Sequence, residues 1–277
     1  MTLYEFKLKM ILELSSIYKI DELNSIFNLI SEDYLKIPRS KILLADEIHL
    51  DKSNQSLFLS ALERLKTHEP IQYVLGKTTF MDMEFKVNSS VLIPRPETEE
   101  LVRLILKEDL DGKEILDIGT GSGCIAISLA KNFPNAKVTV LDISEDALEL
   151  ARENAKLNNV RIDFINADIF KYESSKKYDV IVSNPPYVTE NEKSLMKKNV
   201  LNFEPDLALF IDDNEPLKYY LEIINFSKYG LKSKGFIFFE INKRFSSQLK
   251  TKMLNSKLNC SVINDFAGFP KFIKAKY

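Results

Sequence analysis

The stretch Glu114-Ile115-Leu116-Asp117-Ile118-Gly119-Thr120-Gly121-Ser122-Gly123-Cys124-Ile125-Ala126 decides the fold. A short β-prone run, Glu114–Leu116, enters three glycines, and a helical stretch, Ser122–Lys131, leaves them. The chain has 8 glycines, and three stand at positions 119, 121 and 123, so the cluster is a local device rather than general composition. Glycine at the end of a buried strand lets the backbone turn sharply and lets a ligand approach the main chain. A dinucleotide loop spaces its glycines at relative positions one, three and six. Here the sixth place is Cys124, and Asp117 precedes the first glycine. A carboxylate there repels a pyrophosphate and suits a ligand with a cationic amino group and no phosphate. S-adenosylmethionine is such a ligand. Its candidate cradle is Asp117, Gly119, Thr120, Gly121, Ser122 and Gly123.

Outward from this loop, β-prone runs alternate with helical stretches. The runs are Lys137–Leu141, Arg161–Ile165, Val180–Val182 and Phe236–Phe239, and Ser144–Leu157 is a helix capped by Ser144. Buried strands alternating with helices predict an α/β fold with a doubly wound, largely parallel sheet. Ligands of such sheets bind beyond the carboxyl ends of the strands, near the switch point. Asp142, ending the second run, is placed to accept from both ribose hydroxyls. Asp168 and Ile169, after the third, are placed to meet the exocyclic amine and the face of an adenine.

The first 68 residues read as helices. Leu3, Phe6, Met10, Leu14 and Ile17 recur at steps of three and four, as do Leu23, Ile26, Phe27 and Ile30, then Phe58, Ala61, Leu62 and Leu65. Ser53 and Asn54 are candidate N-caps for the third set. Residues 71 to 95, with Tyr73, Val74, Phe80, Phe85, Val87, Val91 and Ile93 between the turn signals Gly76 and Asn88-Ser89-Ser90, read as a β-hairpin. The expected division is a helical domain over 1–70, a hairpin linker over 71–97 and a ligand-binding domain over 98–277.

After the fourth run comes Asn184-Pro185-Pro186-Tyr187. Consecutive prolines stiffen the backbone and remove donors, leaving carbonyls to accept. The Asn184 side-chain oxygen and the Pro185 carbonyl can each accept one N–H from a substrate NH2. A carboxamide nitrogen is a poor nucleophile because its lone pair is delocalised. Two fixed acceptors orient it toward a methyl carbon, and positioning of this kind lowers barriers by about 7–11 kcal/mol in favourable intramolecular cases. The Tyr187 ring is expected to wall the pocket beside that nitrogen.

Composition narrows the class. Net charge is -2, against the basic surface that bare nucleic acid requires. Two cysteines, Cys124 and Cys260, have neither disulfide nor metal-ligand spacing, so no metal is expected. Without a signal-peptide pattern or an apolar run of about 20 residues, a cytoplasmic protein off the membrane is expected.

Together these motifs resemble the protein-(glutamine-N5) methyltransferases that modify peptide-chain release factors. Glu69–Gly76, Leu92–Leu101, Asp117–Gly123, Asn184–Tyr187 and Glu204–Leu209 carry the resemblance, the Pro94–Glu99 segment most specifically. It implies a Rossmann-like class I methyltransferase sheet with an N-terminal helical domain joined by a β-hairpin. It further implies donor contacts at Gly119–Gly123, Asp142, Ile169 and Asn184, with Asn184–Tyr187 holding the glutamine of a Gly-Gly-Gln tripeptide. Asn242 and Phe245 stand where relatives have Gly and Gln, and Phe269-Pro270-Lys271 only loosely matches their Asp-Arg. Arg95 and Glu97 read as hairpin braces or as gates of the donor pocket, and Lys271, Lys274 and Lys276 as guards of a sheet edge. Rival readings are a methyltransferase of adenine N6 or guanine N2 amines, and a donor-binding scaffold without transfer.

Overall fold

The computed structural model describes residues 1–42 and 48–277. They form two compact units, Met1–Gly76 with Lys197–Phe203, and Lys77–Met196 with Glu204–Tyr277.

The first unit holds α1 (Leu3–Leu14), α2 (Ile20–Leu35), α3 (Arg39–Ile42), α4 (Lys52–Lys66) and α5 (Ile71–Leu75). The three-and-four spacing puts Phe6, Met10 and Leu14 of α1, Leu23, Phe27 and Ile30 of α2, and Phe58 and Leu62 of α4 into one core. Phe6 meets Phe58 edge-on at 4.8 Å. Residues 43–47, part of the helical reading, lie outside the described residues. Two expectations are corrected. The cap of α4 is Asp51, whose side chain accepts from the Asn54 amide, and Ser53 and Asn54 sit within the first turn. Residues 71–75, read as the start of a hairpin, are the helical turn α5. Pro70 stands at its N-cap, Gly76 ends it in the left-handed region at φ 70°, and the Arg64 guanidinium donates to the Tyr73 and Val74 carbonyls. That guanidinium satisfies acceptors a helix end leaves open, which outweighs the β preference of Tyr73 and Val74.

The second unit opens with a hairpin of β1 (Lys77–Phe80) and β2 (Met83–Lys86), paired antiparallel with Phe80 opposite Met83. Its turn is Met81-Asp82, at φ 49° and 59°, and not Gly76 or residues 88–90. Both central residues are left-handed, as a tight two-residue hairpin demands. The Met81 amide donates to Glu99 Oε1 at 2.8 Å. Then follow α6 (Pro96–Ile105), β3 (Glu114–Ile118), α7 (Cys124–Asn132), β4 (Lys137–Asp142), α8 (Glu145–Leu157), β5 (Asp163–Asn166), β6 (Tyr178–Ser183) and β7 (Val188–Thr189). After the short α9 (Lys198–Leu201) of the first unit come α10 (Asp206–Leu209), β8 (Phe210–Ile211), α11 (Lys218–Gly230), β9 (Leu231–Glu240), α12 (Ser246–Asn255), β10 (Asn259–Asn264) and β11 (Pro270–Lys276).

Seven strands form the main sheet in the order β10-β11-β9-β6-β3-β4-β5. β9, β6, β3, β4 and β5 run parallel, and β11 runs antiparallel between β9 and β10, so that β10 shares the direction of the other five. Chain order reverses between β3 and β6. Successive side chains of a strand face opposite ways, and here both ways are dry. Ile115, Val138, Val140, Val180, Val182 and Phe238 pack with Leu101 of α6, Ile127 of α7 and Leu148 of α8. Leu116, Leu141, Ile181, Ile237 and Phe239 pack with Ile223 of α11 and Met253 of α12. This is why the strands read as continuous apolar runs. The edge-guard expectation for the C-terminal lysines is corrected, because β11 lies between β9 and β10. Lys274 instead pairs with Glu108 at 2.6 Å and lies over the Phe236 ring.

Capping chemistry separates the two readings of α4. Asp51→Ala is expected to cost about 1 kcal/mol, the usual worth of such a cap, whereas Ser53→Ala stays within about 0.5 kcal/mol. Urea unfolding of both variants checks this, and equal effects would contradict the assigned cap.

Candidate active site

At the carboxyl end of β3 the glycine loop takes backbone angles that side chains resist. Gly119, Gly121 and Gly123 have φ of 71°, 54° and 81°. The Gly119 amide donates to the Leu141 carbonyl at 2.7 Å, fastening the loop to the end of β4. Nothing lies within 4 Å of a Cβ built on Gly119 or Gly121, whereas one on Gly123 would meet Ile127 Cδ1 at 3.0 Å and Ala151 Cβ at 3.2 Å. The first two keep a cradle open, and the third lets α7 and α8 approach.

Asp142 organises that cradle. Oδ2 accepts from the Gly121 amide at 2.9 Å, and Oδ1 accepts from the Ser144 amide at 3.0 Å, where Ser144 caps α8 as expected. Asn154, on the buried face of α8, donates to the Ser122 carbonyl at 2.9 Å and exchanges bonds with the Lys86 backbone. It thereby ties the loop to the hairpin. A lone buried amide on an otherwise apolar helix face was the sequence signal for it.

Asp117 does not line the cavity. Its carboxylate is wholly buried beneath the loop, with Oδ2 accepting from Thr120 Oγ1 at 2.7 Å and Oδ1 without a partner among the described residues. The side chain thus lies off the cavity wall and braces the loop from below through Thr120. Burial pushes its pKa up to about 7, the Thr120 hydroxyl opposes the rise and the Asp142 charge adds to it.

A cavity of about 480 Å³ opens above the strand ends, within the range of small-molecule sites. Gly119, Thr120, Gly121, Ser122 and Asp142 line it, with Asp168, Ile169, Asn184, Pro185 and Pro186. Asp168 Oδ1 accepts from the Phe170 amide at 3.0 Å. Asn184 follows β6, which is hydrogen-bonded to β3, and Ser183 Oγ donates to the Ile118 carbonyl at 2.7 Å. The two motifs therefore meet where chain order reverses.

Tyr187 is absent from the wall. Its hydroxyl donates to Glu240 Oε1 at 3.0 Å and accepts from Lys271 Nζ at 2.9 Å, so the half-buried ring is held against the core beside β9. Burial and the Glu240 charge hold its pKa well above the usual range, which keeps it a donor. Asn242 donates to the Tyr187 carbonyl at 3.1 Å, giving this departure from the expected Gly a definite task. Phe245 packs on the core.

Thr98 and Glu240 escaped the sequence reading. Asn184 Nδ2 donates to Thr98 Oγ1 at 3.3 Å, and Thr98 Oγ1 donates to Glu240 Oε2 at 2.7 Å. Thr98 lay inside the Pro94–Glu99 segment, and Glu240 ends an apolar strand on a charge; either was a visible signal. Arg95 lines the cavity and pairs with Glu204 Oε1 at 2.6 Å, while Glu204 Oε2 accepts from the Ile93 amide. Glu97 is exposed and not part of the wall.

A parallel sheet reversing between β3 and β6, with a glycine loop on one strand and Asn-Pro-Pro-Tyr on the other, defines a methyltransferase of the Rossmann-like class. Residues 97–220 match the family described as "Methyltransferase small domain", and residues 13–76 match "PrmC N-terminal domain". The release factor glutamine methyltransferase of Flavobacterium psychrophilum is 42% identical over 286 residues, covering 100% of both chains. That of Bacteroides thetaiotaomicron is 42% identical over 265 residues, covering 95% of each. The solved ribosomal protein L11 methylase of Lactobacillus delbrueckii subsp. bulgaricus shares the fold, with a TM-score of 0.50 and 19% identity over 68% of this chain and 82% of that one. The chain belongs to the release factor glutamine methyltransferase family.

Because the folded-state pKa of Asp117 lies above the ordinary one, the stability it contributes is full below about pH 4 and lost as pH rises toward 7. Asp117→Asn removes that loss, so its urea midpoint gains on wild type across this window; parallel curves would show that the carboxyl is not perturbed. Gly123→Ala combines left-handed strain with two close contacts and is expected to destabilise by about 1–3 kcal/mol, read from the same unfolding assay.

Proposed function

We propose that this enzyme transfers the methyl group of S-adenosylmethionine to the side-chain N5 of the glutamine in the Gly-Gly-Gln tripeptide of peptide-chain release factors. The observation that carries the reading is the orientation of Asn184. Its NH2 is committed to Thr98, which leaves Oδ1 as the end of the amide available to a ligand at the cavity wall. Pro185, beside it on the wall, contributes a carbonyl. These two oxygens accept the two N–H bonds of a carboxamide and hold its nitrogen in place, and Pro186 stiffens the segment.

The cavity fits the donor. Gly119 and Gly121 leave the cradle clear of side-chain carbon, Asp142 stands at the end of β4 for ribose hydroxyls, and Ile169 and Asp168 stand beyond β5 for adenine. Thr120 and Ser122 complete the loop lining. When bound, the donor supplies an activated methyl on a sulfonium, so neither metal nor covalent intermediate is required. The protein's task is to strip water from the glutamine amide, direct its lone pair at the methyl carbon and let the surplus proton leave from N5. Tyr187 acts at one remove, through Glu240. The N-terminal helical part, assigned to residues 1–70, docks the release factor, and the hairpin segment over 71–97 joins it to the catalytic part, 98–277. No helix among the described residues is long and apolar enough to cross a membrane, in keeping with a cytoplasmic enzyme acting on a translation factor.

Incubation of the protein with a release factor and methyl-labelled donor tests the reading. One methyl group on the Gly-Gly-Gln glutamine, located by peptide mass spectrometry, is expected; label confined to RNA or DNA would replace the protein substrate with a nucleic-acid amine. Asn184→Ala is expected to slow transfer by about 100-fold or more and to weaken donor binding by less than about tenfold.

A further inference from the structure

We propose that Glu240, acting through the Thr98 hydroxyl, fixes which end of the Asn184 amide faces the cavity. The five side chains involved come from distant parts of the catalytic unit: Thr98 from α6, Asn184 and Tyr187 from the segment after β6, Glu240 from the end of β9 and Lys271 from the start of β11. Glu240 is 1% exposed, and Thr98, on the cavity wall, is 3% exposed, so their bond is buried.

The polarity of the chain starts at the carboxylate. Glu240 Oε1 accepts from Tyr187 and stands 3.0 Å from the Lys271 ammonium, and Oε2 accepts from Thr98. A carboxylate so paired is an acceptor only. The Thr98 hydroxyl has one proton and gives it to Oε2, so it presents lone pairs to Asn184. Facing those lone pairs, the amide gains a hydrogen bond with its NH2 end and meets repulsion with its oxygen end. Asn184 therefore turns its nitrogen to Thr98 and Oδ1 the other way. An asparagine amide is nearly symmetric in shape, so packing alone does not choose between its two orientations. Reversed, it would present donors to the substrate NH2 and reject it. Thr98 and Glu240 are thus positioning residues: their consequence is the hydrogen-bond sign of a third side chain. This inference rests on the proposed role of Asn184 in holding the glutamine.

The decisive comparison is Thr98→Val against Thr98→Ser in the full-length enzyme. Valine keeps the shape and deletes the hydroxyl; serine keeps the hydroxyl. Thr98→Val is expected to lower kcat by about 10- to 100-fold, with the KM for release factor and the Kd for donor within about threefold of wild type. Thr98→Ser recovers at least about tenfold of that loss. A kcat for Thr98→Val within about twofold of wild type overturns the proposal, and so does a matching loss of donor binding, which would assign Thr98 to the donor pocket. If Thr98→Val does not fold, Glu240→Gln carries the same test: an amide there both donates and accepts, the Thr98 proton is no longer committed, and kcat falls while donor binding holds. An independent readout is the exchange of the Asn184 side-chain NH2 protons by NMR. One proton is expected to be protected in wild type and Thr98→Ser, and unprotected in Thr98→Val; equal protection in all three overturns the proposal without reference to activity. A wild-type enzyme that leaves the glutamine unmethylated would sink the substrate reading alone, because the NMR comparison still decides whether Thr98 sets the Asn184 amide.

Discussion

Everything in the catalytic unit hangs on the pairing of β3 with β6. These strands lie side by side and parallel, with Asp117 opposite Val182 and Ile118 opposite Ser183. Chain order runs outward from β3 through β4 to β5 and then returns to β6, so the crossovers leave opposite faces of the sheet. The ends of β3 and β6 are therefore not capped by a common connection, and a space opens between their loops. The Ser183 hydroxyl bond to the Ile118 carbonyl pins that register. A slip of one residue would turn Val180 and Val182 from one core to the other and carry Asn184 out of line with the glycine loop.

Around this junction the polar groups are arranged in two layers. The outer layer borders the cavity: the glycine loop, Asp142 and Asn184. The inner layer is buried and holds the outer one: Asp117 under Thr120, Asn154 under Ser122, and Glu240 behind Thr98. Each inner group is a buried polar atom that costs free energy when unpartnered and specifies one geometry when paired. The loop at Gly119–Gly123 has no regular hydrogen-bond ladder of its own, so these side chains supply its rigidity.

Local chemistry was legible in the sequence, and distant partnerships were not. The glycine loop, the Ser144 cap and the alternation of strands with helices depend on neighbours along the chain, and each announced itself. The Thr98–Glu240 bond joins residues 142 positions apart, and no spacing rule connects them. The same limit explains the misreadings. Tyr73 and Val74 carry β-forming side chains, but Arg64 caps their carbonyls and makes a helix end. Met81-Asp82 lacks the glycine usual in a left-handed turn, and pairing across the hairpin imposes it. The alternating lysines of β11 suggested an edge, whereas β10 folds back and covers it. Asp117 and Tyr187 adjoin the site motifs along the chain, and their bonds to Thr120 and Glu240 are again partnerships that the sequence does not spell out.

The C-terminal hairpin of β10 and β11 delivers Lys271 to the carboxylate at the end of β9. It packs on the flank of a sheet whose five parallel strands carry the bulk of the core. Fraying of that flank would withdraw an ammonium from the buried anion and slacken the active centre while the remaining sheet stays folded. Local opening of that flank, at a lower free-energy cost than global unfolding, would loosen the Glu240 ion pair before the bulk of the domain melts.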